Sequence, residues 1–416
     1  MKCTPLGSHL LLCEMPKSQL REELWNFLKK LRALKLDANL TSLILPASRM
    51  LPFSATELLL LALSHKAAGL AAAAHEGDKC RRMLRVLGAE LAGMSHTLTA
   101  PMKKPYNPVL GELLVAARAE KPAEAGSGGG SAACRVVLEQ VSHHPPLTAF
   151  HVEGTDFRHC GSSAAEPLFR GNSVEVRIVT LQPCRTVLRL EDGTEEEFRT
   201  KSFPSMCLRN IFGIGRLFCE WVGELEVECD ECVGRLVFHP AKLFNAASAH
   251  RVTGSISVGG DKNASPPICQ ISGAWTGRVV ATATRDGDEL ELLPALPGGV
   301  DRPTSLASMP RPPPFELPPH SLDWERHSQR VWSELTAALR EQNWVAARAA
   351  KHSVEQEMRA EAAAMAEAGS MWAPALFEAA DPAGPAAGAW LLRDGALDRA
   401  FDPDAEQPCQ PIRSRS

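Results

Sequence analysis

Glu139-Gln140-Val141-Ser142-His143-His144-Pro145-Pro146 follows the alternating run Val136-Val137-Leu138, which reads as the end of a strand. Consecutive prolines fix φ and remove two backbone donors, so a sheet ladder is expected to stop at this point. An imidazole offers one donor and one acceptor when neutral and two donors when protonated. A tandem pair held at a strand end therefore suits an anion or a metal. The same spacing also fits two exposed histidines that bind nothing.

Outward from that strand end, short alternating segments separated by turn residues run from 111 to 292. They include Ser173 to Leu181, Thr186 to Leu190, Gly223 to Glu228, Gly234 to Phe238, Val252 to Val258 and Gly277 to Thr284. Asp192-Gly193 and Asp286-Gly287 mark hairpin turns. So many strands without intervening helices predict an antiparallel barrel or sandwich. A flexible glycine-serine loop, Lys121 to Ser131, interrupts the series. Ahead of it, residues 54–100 are rich in Leu and Ala and predict a helical layer, opened by the capping box Ser54-Ala55-Thr56-Glu57. Residues 17–36 place Leu20, Leu24, Phe27, Leu28, Leu31 and Leu34 at helical spacing beside Trp25. That pattern fits a helix packed on a core, a membrane-surface helix or a lid over an apolar cavity. Beyond the strands, 294–319 holds nine prolines and reads as a stiff connector. Residues 321–416 form a C-terminal helical region and tail, with Trp332, Leu335, Leu339 and Val345 as candidate buried positions. The tail carries Trp372, Phe377 and Trp390, expected to pack back onto the domain.

Bulk properties narrow the partners. The 416 residues carry a net charge of −4, with 44% hydrophobic and 23% charged residues, an ordinary globular balance. That balance gives no electrostatic case for nucleic acid. Leu58-Leu59-Leu60-Leu61-Ala62-Leu63 is too short an apolar run to cross a bilayer, and the N-terminus is a poor secretory signal. A cytoplasmic protein is expected, and the twelve scattered cysteines fit a reducing compartment. Cys229-Asp230-Glu231-Cys232 lies between two alternating runs and predicts a hairpin turn in preference to a zinc site.

Two further strings carry charge. In Lys103-Lys104-Pro105-Tyr106-Asn107-Pro108-Val109-Leu110-Gly111-Glu112, two prolines bracket a rigid turn and Gly111 permits unusual φ. A lysine at its mouth suits a phosphate, although an ordinary basic turn has the same residues. Lys351, Glu355 and Arg359 are four residues apart, so each step rotates roughly 40° and all three share one helix face. A solvated salt-bridge ladder has that spacing too.

Taken as strings, EQVSHHPP, KKPYNPVLGE and the Lys351–Glu355–Arg359 helix resemble, in order, the signatures of the oxysterol-binding-protein-related family of lipid-transfer domains. The resemblance implies a single domain over 1–416, mainly β with flanking helices (α+β). Its fold is an incomplete antiparallel β-barrel around a lipid tunnel, with an N-terminal helical lid and a long C-terminal helix. It also implies that Lys104, His143, His144, Lys351, Glu355 and Arg359 hold the head group of phosphatidylinositol 4-phosphate. Asn107, with Lys104, matches a second-lipid head-group position. Leu24, Trp25, Phe27 and Leu28 match the lid. The expected activity is exchange of phosphatidylinositol 4-phosphate for a second lipid, with no covalent chemistry and no cofactor or metal. The tyrosine and double lysine of KKPYNP look more like members that carry phosphatidylserine, with a sterol as the other choice.

Such a protein is expected in the cytoplasm, peripheral at the endoplasmic reticulum and other organelle membranes, at contact sites. A lipid sensor or tether is the alternative, and a metal-dependent hydrolase using the histidine pair is a third reading that lacks an HxxxH or HExxH spacing. The segment ahead of the lid is short for a pleckstrin-homology domain, so targeting is expected from the domain itself or from partners. Ala400-Phe401-Asp402-Pro403-Asp404 is a poor motif for the endoplasmic-reticulum receptor VAP.

Overall fold

The structure, a computed structural model, describes residues 25–26, 28–40, 45–95, 103–119, 133–143, 145–212, 217–242, 248–258, 267–293, 315–380, 389–408 and 413–414. The Lys121 to Ser131 loop and most of the proline-rich stretch lie outside them.

Strand β1 (Met50–Ser54) pairs in parallel with β2 (Lys104–Tyr106), Met50 opposite Lys104. Between them come α1 (Ala55–Ala74) and α2 (Lys79–Ser95). The capping box forms as expected, with the Ser54 backbone N–H donating to Glu57 Oε2 at 2.8 Å. By length and composition α1 could cross a bilayer, unlike the short run read from sequence. Half of that stretch is buried in the protein, however, and Leu60, Leu63 and Ala67 pack into the main core. Lys66 on α1 pairs with Glu90 on α2 at 2.6 Å, so its charge is answered inside the helix pair.

A single 14-stranded antiparallel sheet follows. Its strands are β3 (Leu113–Arg118), β4 (Cys134–His143), β5 (Pro146–Gly154), β6 (Phe157–Phe169), β7 (Ser173–Val179), β8 (Cys184–Arg189), β9 (Glu195–Ser202), β10 (Ser205–Arg209), β11 (Phe218–Glu228), β12 (Cys232–Phe238), β13 (Arg251–Val258), β14 (Cys269–Ala274), β15 (Val279–Ala283) and β16 (Glu289–Leu293). The main path runs from β16 back to β11, through β10 and β7, and out by β6, β5 and β4 to β3. β8 and β9 form a branch from β6 to β11. The end strands β3 and β16 do not pair with each other, so the barrel is incomplete. Alternation sets the inner face. In β12, Cys232, Gly234, Leu236 and Phe238 turn inward. A Cβ at Gly234 would stand 2.8 Å from Leu87 and 2.9 Å from Met83, so glycine lets α2 settle onto the sheet. Asp192-Gly193 and Asp286-Gly287 are turns, and Cys229–Cys232 closes the β11–β12 hairpin with the two sulfurs 3.2 Å apart.

The free edge of β3 is covered from the C-terminal side. Ala117 and Glu316 exchange backbone hydrogen bonds of 2.8 and 2.7 Å, and Leu113 donates to Arg326 at 2.8 Å. The end of the proline-rich stretch thus does take part in pairing, because Glu316 is not a proline and has an N–H to give. The C-terminal helical region opens with a 3-10 turn (Pro319–Asp323) and two short helices, α3 (Ser328–Val331) and α4 (Ser333–Arg340), and continues in the expected long helix, α5 (Trp344–Glu367). Gln342 at φ 56° breaks the run, and Asn343 caps α5 by accepting from Ala346 at 3.1 Å. The break resets the helical phase. Trp332, Leu335 and Leu339 are buried as expected, but Val345 is 79% exposed, a correction to its reading as a core position. Two tail strands, β17 (Phe377–Ala379) and β18 (Trp390–Leu392), and α6 (Ala396–Phe401) pack on the outer faces of β3 to β6.

Candidate functional site

Two of the sequence strings meet in space through their backbones. Gly111, at φ 73°, donates to the Gln140 carbonyl at 2.8 Å, and Gln140 donates to the Glu112 carbonyl at 2.9 Å. The proline-bracketed turn is thereby fastened to β4 three residues before His143. Glu112 is fully buried, and its carboxylate is the anchor underneath. It accepts from Ser54 Oγ at 2.5 Å, Thr56 Oγ1 at 2.6 Å, Trp332 Nε1 at 2.7 Å and the Val109 N–H at 3.1 Å. Four donors on one carboxylate satisfy its lone pairs without a cation. Tyr106, also fully buried, lies 4.7 Å from Trp332 ring to ring and its hydroxyl meets Thr336 Oγ1 at 3.1 Å. These contacts lock the turn to the segment that leads into α5.

On top of this anchor sits a cavity of about 810 Å³. Lys104, Asn107, His143, Lys351, Glu355 and Arg359 all line it, so the three strings converge on one space. Lys104 Nζ donates to Asn107 Oδ1 at 3.0 Å. Burial, then the nearby Lys351 ammonium, lowers the Lys104 pKa to about 8, with Glu355 acting the other way. Lys351 is buried on α5 and bonds Glu355 one turn on. Among the described residues Glu355 forms no ion pair with Arg359, which sits exposed at the mouth. His143 ends β4 opposite Pro146, and a register shift between Gln140 and Ser142 precedes it. The Gln140 side chain steadies that irregularity, donating to the Ser142 carbonyl at 2.8 Å and accepting from Thr148 at 2.6 Å. Met358, beside Arg359, and Ala362 and Met365 farther along α5 add apolar lining, joined by Leu45, Met50 and Leu335.

His144, Leu24 and Phe27 lie outside the described residues. The two described lid residues do not line the cavity. Trp25 is 52% exposed, with Lys29 and Arg32 5.7 and 6.0 Å from its ring. Leu28 packs with Leu31, Leu40, Phe169 and Ile211 at the outer edge of β6. From there, 37–40 runs along β6, and Asn39 reaches the cavity.

Several residues of the site have roles that the sequence alone does not assign. Glu112 follows the Gly111 turn directly, a local signal for the anchor it becomes. Glu139 opens EQVSHHPP, yet it points away from the cavity: it accepts from Ala375 and Leu376 N–H at 2.7 and 2.8 Å and so fastens the tail. Burial pushes its pKa up to about 7 against those hydrogen bonds. Asn39 and Glu166 also line the cavity, and their separation of 127 positions left no local signal. Among the described residues, no group of three or more His, Cys, Asp or Glu side chains is placed to hold a metal.

Comparison with known proteins gives a family and a fold. A family model described as oxysterol-binding protein covers residues 23–400. Human oxysterol-binding protein-related protein 1 is 36% identical over 179 residues, 42% of this chain and 16% of the relative. Human oxysterol-binding protein-related protein 5 is 28% identical over 359 residues, 85% of this chain and 37% of the relative. Oxysterol-binding protein-related protein 9 of Xenopus tropicalis is 28% identical over 373 residues, 83% and 46%. The chain thus spans less than half the length of these curated relatives. Among solved structures, the Osh1 ORD domain in complex with cholesterol superposes with a TM-score of 0.69 at 20% identity, covering 92% of this chain and 88% of that one. The Osh3 ORD of Saccharomyces cerevisiae in complex with PI(4)P gives 0.65 at 20% identity, covering 93% and 94%.

Proposed function

This chain belongs to the oxysterol-binding protein family of lipid-binding domains, and from that premise we propose that it transfers lipid between membranes. It binds phosphatidylinositol 4-phosphate and exchanges it for a second lipid, phosphatidylserine or a sterol, without covalent chemistry. The observation that carries this reading is the convergence of Lys104, His143, Lys351 and Arg359 on one cavity whose lining also holds Leu45, Met50, Leu335, Met358, Ala362 and Met365. Cations in a partly dry recess make charge-assisted bonds to a phosphate that are stronger than neutral ones. His144 is assigned to the same head group by its place in the string. The apolar stretch of Met358, Ala362 and Met365 receives the start of the acyl chains, each buried methylene contributing about 0.8 kcal/mol. A lipid crossing water outside such a site loses that contribution.

In this reading Glu355 keeps Lys351 aimed along the helix face, and Asn107 with Lys104 meets the head group of the second lipid. The protein works from the cytoplasm, touching the endoplasmic reticulum and other organelle membranes at contact sites, and Trp25 with Lys29 and Arg32 is suited to a brief contact with an interface. A liposome assay with labelled phosphatidylinositol 4-phosphate tests the proposal. Transfer at catalytic protein concentrations is expected, and His143→Ala/His144→Ala should abolish it. Binding without transfer would make the protein a sensor or tether instead, and normal transfer by the double variant would remove the histidines from the head-group site.

A further inference from the structure

Away from the lipid cavity, nucleophilic side chains gather where the β11–β12 hairpin meets the start of α2. Nine cysteines are described, and all nine are free thiols. Two of them, Cys229 and Cys232, flank the Asp230-Glu231 turn, and the Cys229 N–H donates to the Cys232 carbonyl at 3.0 Å. Residues on either side of a two-residue turn have Cα atoms within about 7 Å, close to the span that a disulfide bridges. The side chains complete the approach. Their sulfurs lie 3.2 Å apart in a thiol–thiol contact, roughly 1 Å beyond an S–S bond length.

Exposure separates the two thiols. Cys229 is half-buried and Cys232 is buried, so a small reagent in solution meets Cys229 first. Its contact with the Cys232 thiol, helped by the Glu231 and Cys232 N–H groups, holds the Cys229 pKa down at about 7 against burial. Burial pushes the half-buried thiols of Cys160 and Cys219 the other way. An acidic turn would oppose a thiolate beside it, but Glu231 is paired with Lys79 on α2. Cys80, next to Lys79 on the first turn of α2, stands close enough to Cys229 for their charges to interact, and burial raises its pKa. Among the described residues no three His, Cys, Asp or Glu side chains are placed to hold a metal, so the geometry here supplies a dithiol and not a metal cage.

We propose that Cys229 and Cys232 are a redox modification site, at which a hydroperoxide converts the two thiols into a reversible disulfide across the hairpin. The Cys229 thiolate attacks one oxygen of hydrogen peroxide. The O–O bond breaks, the departing hydroxide takes a proton to leave as water, and Cys229 becomes a sulfenic acid. The Cys232 sulfur then attacks the Cys229 sulfur, the S–S bond forms, and the hydroxyl leaves as a second water with the Cys232 proton. The two thiols lose two electrons, and one peroxide is reduced to two waters. A small dithiol reverses the bond by exchange. Oxidation locks the tip of the hairpin on which α2 is seated through Lys79–Glu231 and Gly234. Neither cysteine lines the lipid cavity, so the inference stands apart from the lipid reading.

The test is a thiol map of the reduced full chain after brief exposure to one equivalent of hydrogen peroxide, quenched by alkylation and read by peptide mass spectrometry. The expected product joins Cys229 to Cys232 with the loss of two hydrogens, leaves Cys219 in the same stretch alkylated, and disappears on treatment with dithiothreitol. Cys229 should be consumed about tenfold faster than Cys160 or Cys219. This map needs no variant to fold. In Cys232→Ser, Cys229 should stop at a sulfenic acid that dimedone traps, and in Cys229→Ser, Cys232 should survive as a thiol; thermal unfolding shows that each variant is folded. Oxidation of Cys229 no faster than of Cys160 and Cys219 overturns the proposal. So does a bond from Cys80 to either partner, or oxidation of Cys232 at the wild-type rate in Cys229→Ser.

Discussion

The helix side of the cavity, with Lys104, Lys351 and Arg359, rests on buried polar anchors, whereas the sheet side, with Asn39 and Glu166, is held by backbone pairing at the rim of β6. Beneath the first lies Glu112, a carboxylate with four donors and no exposure. Among the described residues no such buried carboxylate lies beneath the second, where an amide–carboxylate bond of 3.1 Å crosses from the segment 37–40 to the sheet. The difference separates two demands. A cluster of like charges repels itself and needs a rigid frame to hold it together. A single carboxylate needs only a fixed position, and strand pairing supplies one.

Variants can break this comparison one side at a time. The largest effect is expected from Glu112→Ala, which leaves several buried donors unsatisfied and should lower stability by about 3 kcal/mol in chemical denaturation. Lys351→Ala should come next, weakening phosphoinositide binding by about tenfold in a titration with labelled lipid, with little change in stability. A pH series sharpens the contrast. Lys104 loses its proton near pH 8, so affinity for the phosphate should be full below that value and fall as pH rises through it. Lys104→Arg should remove the fall, because a guanidinium stays charged.

Stability should follow pH by a different route. Burial raises Glu57 and Glu139 from the ordinary 4.5 to about 7 in the folded state. Their contribution is then complete below about pH 4.5 and is lost as pH rises through about 7. Thermal unfolding of Glu139→Gln should show a flatter decline across that window than wild type. The smallest effect belongs to the rim: Asn39→Ala should change stability by about 0.5 kcal/mol or less and leave phosphoinositide affinity unaltered.

Much of the helix side is legible in the sequence. Prolines, a glycine turn and a four-residue charge repeat are local patterns, and each dictates geometry within its own segment. The antiparallel sheet was equally readable, because alternation and turn residues repeat along β7 to β16. Phase is what sequence could not supply in the C-terminal region. A single residue at φ 56°, Gln342, rotated everything after it and moved Val345 to the surface. The outward turn of Glu139 was hidden for a related reason: alternation tells which residues share a face, not what will later pack against it. Asn39 and Glu166 come together only because 37–40 lies along β6, a contact between distant segments that leaves no spacing to read.

The central claim is that the cations converging on this cavity bind the phosphate of phosphatidylinositol 4-phosphate. Equilibrium binding of that lipid to Lys104→Ala/Lys351→Ala, measured beside wild type at pH 7 and low salt, addresses it most directly. The expected result is a loss of affinity greater than about tenfold in a protein with unchanged unfolding behaviour. Wild-type affinity in the double variant would contradict it.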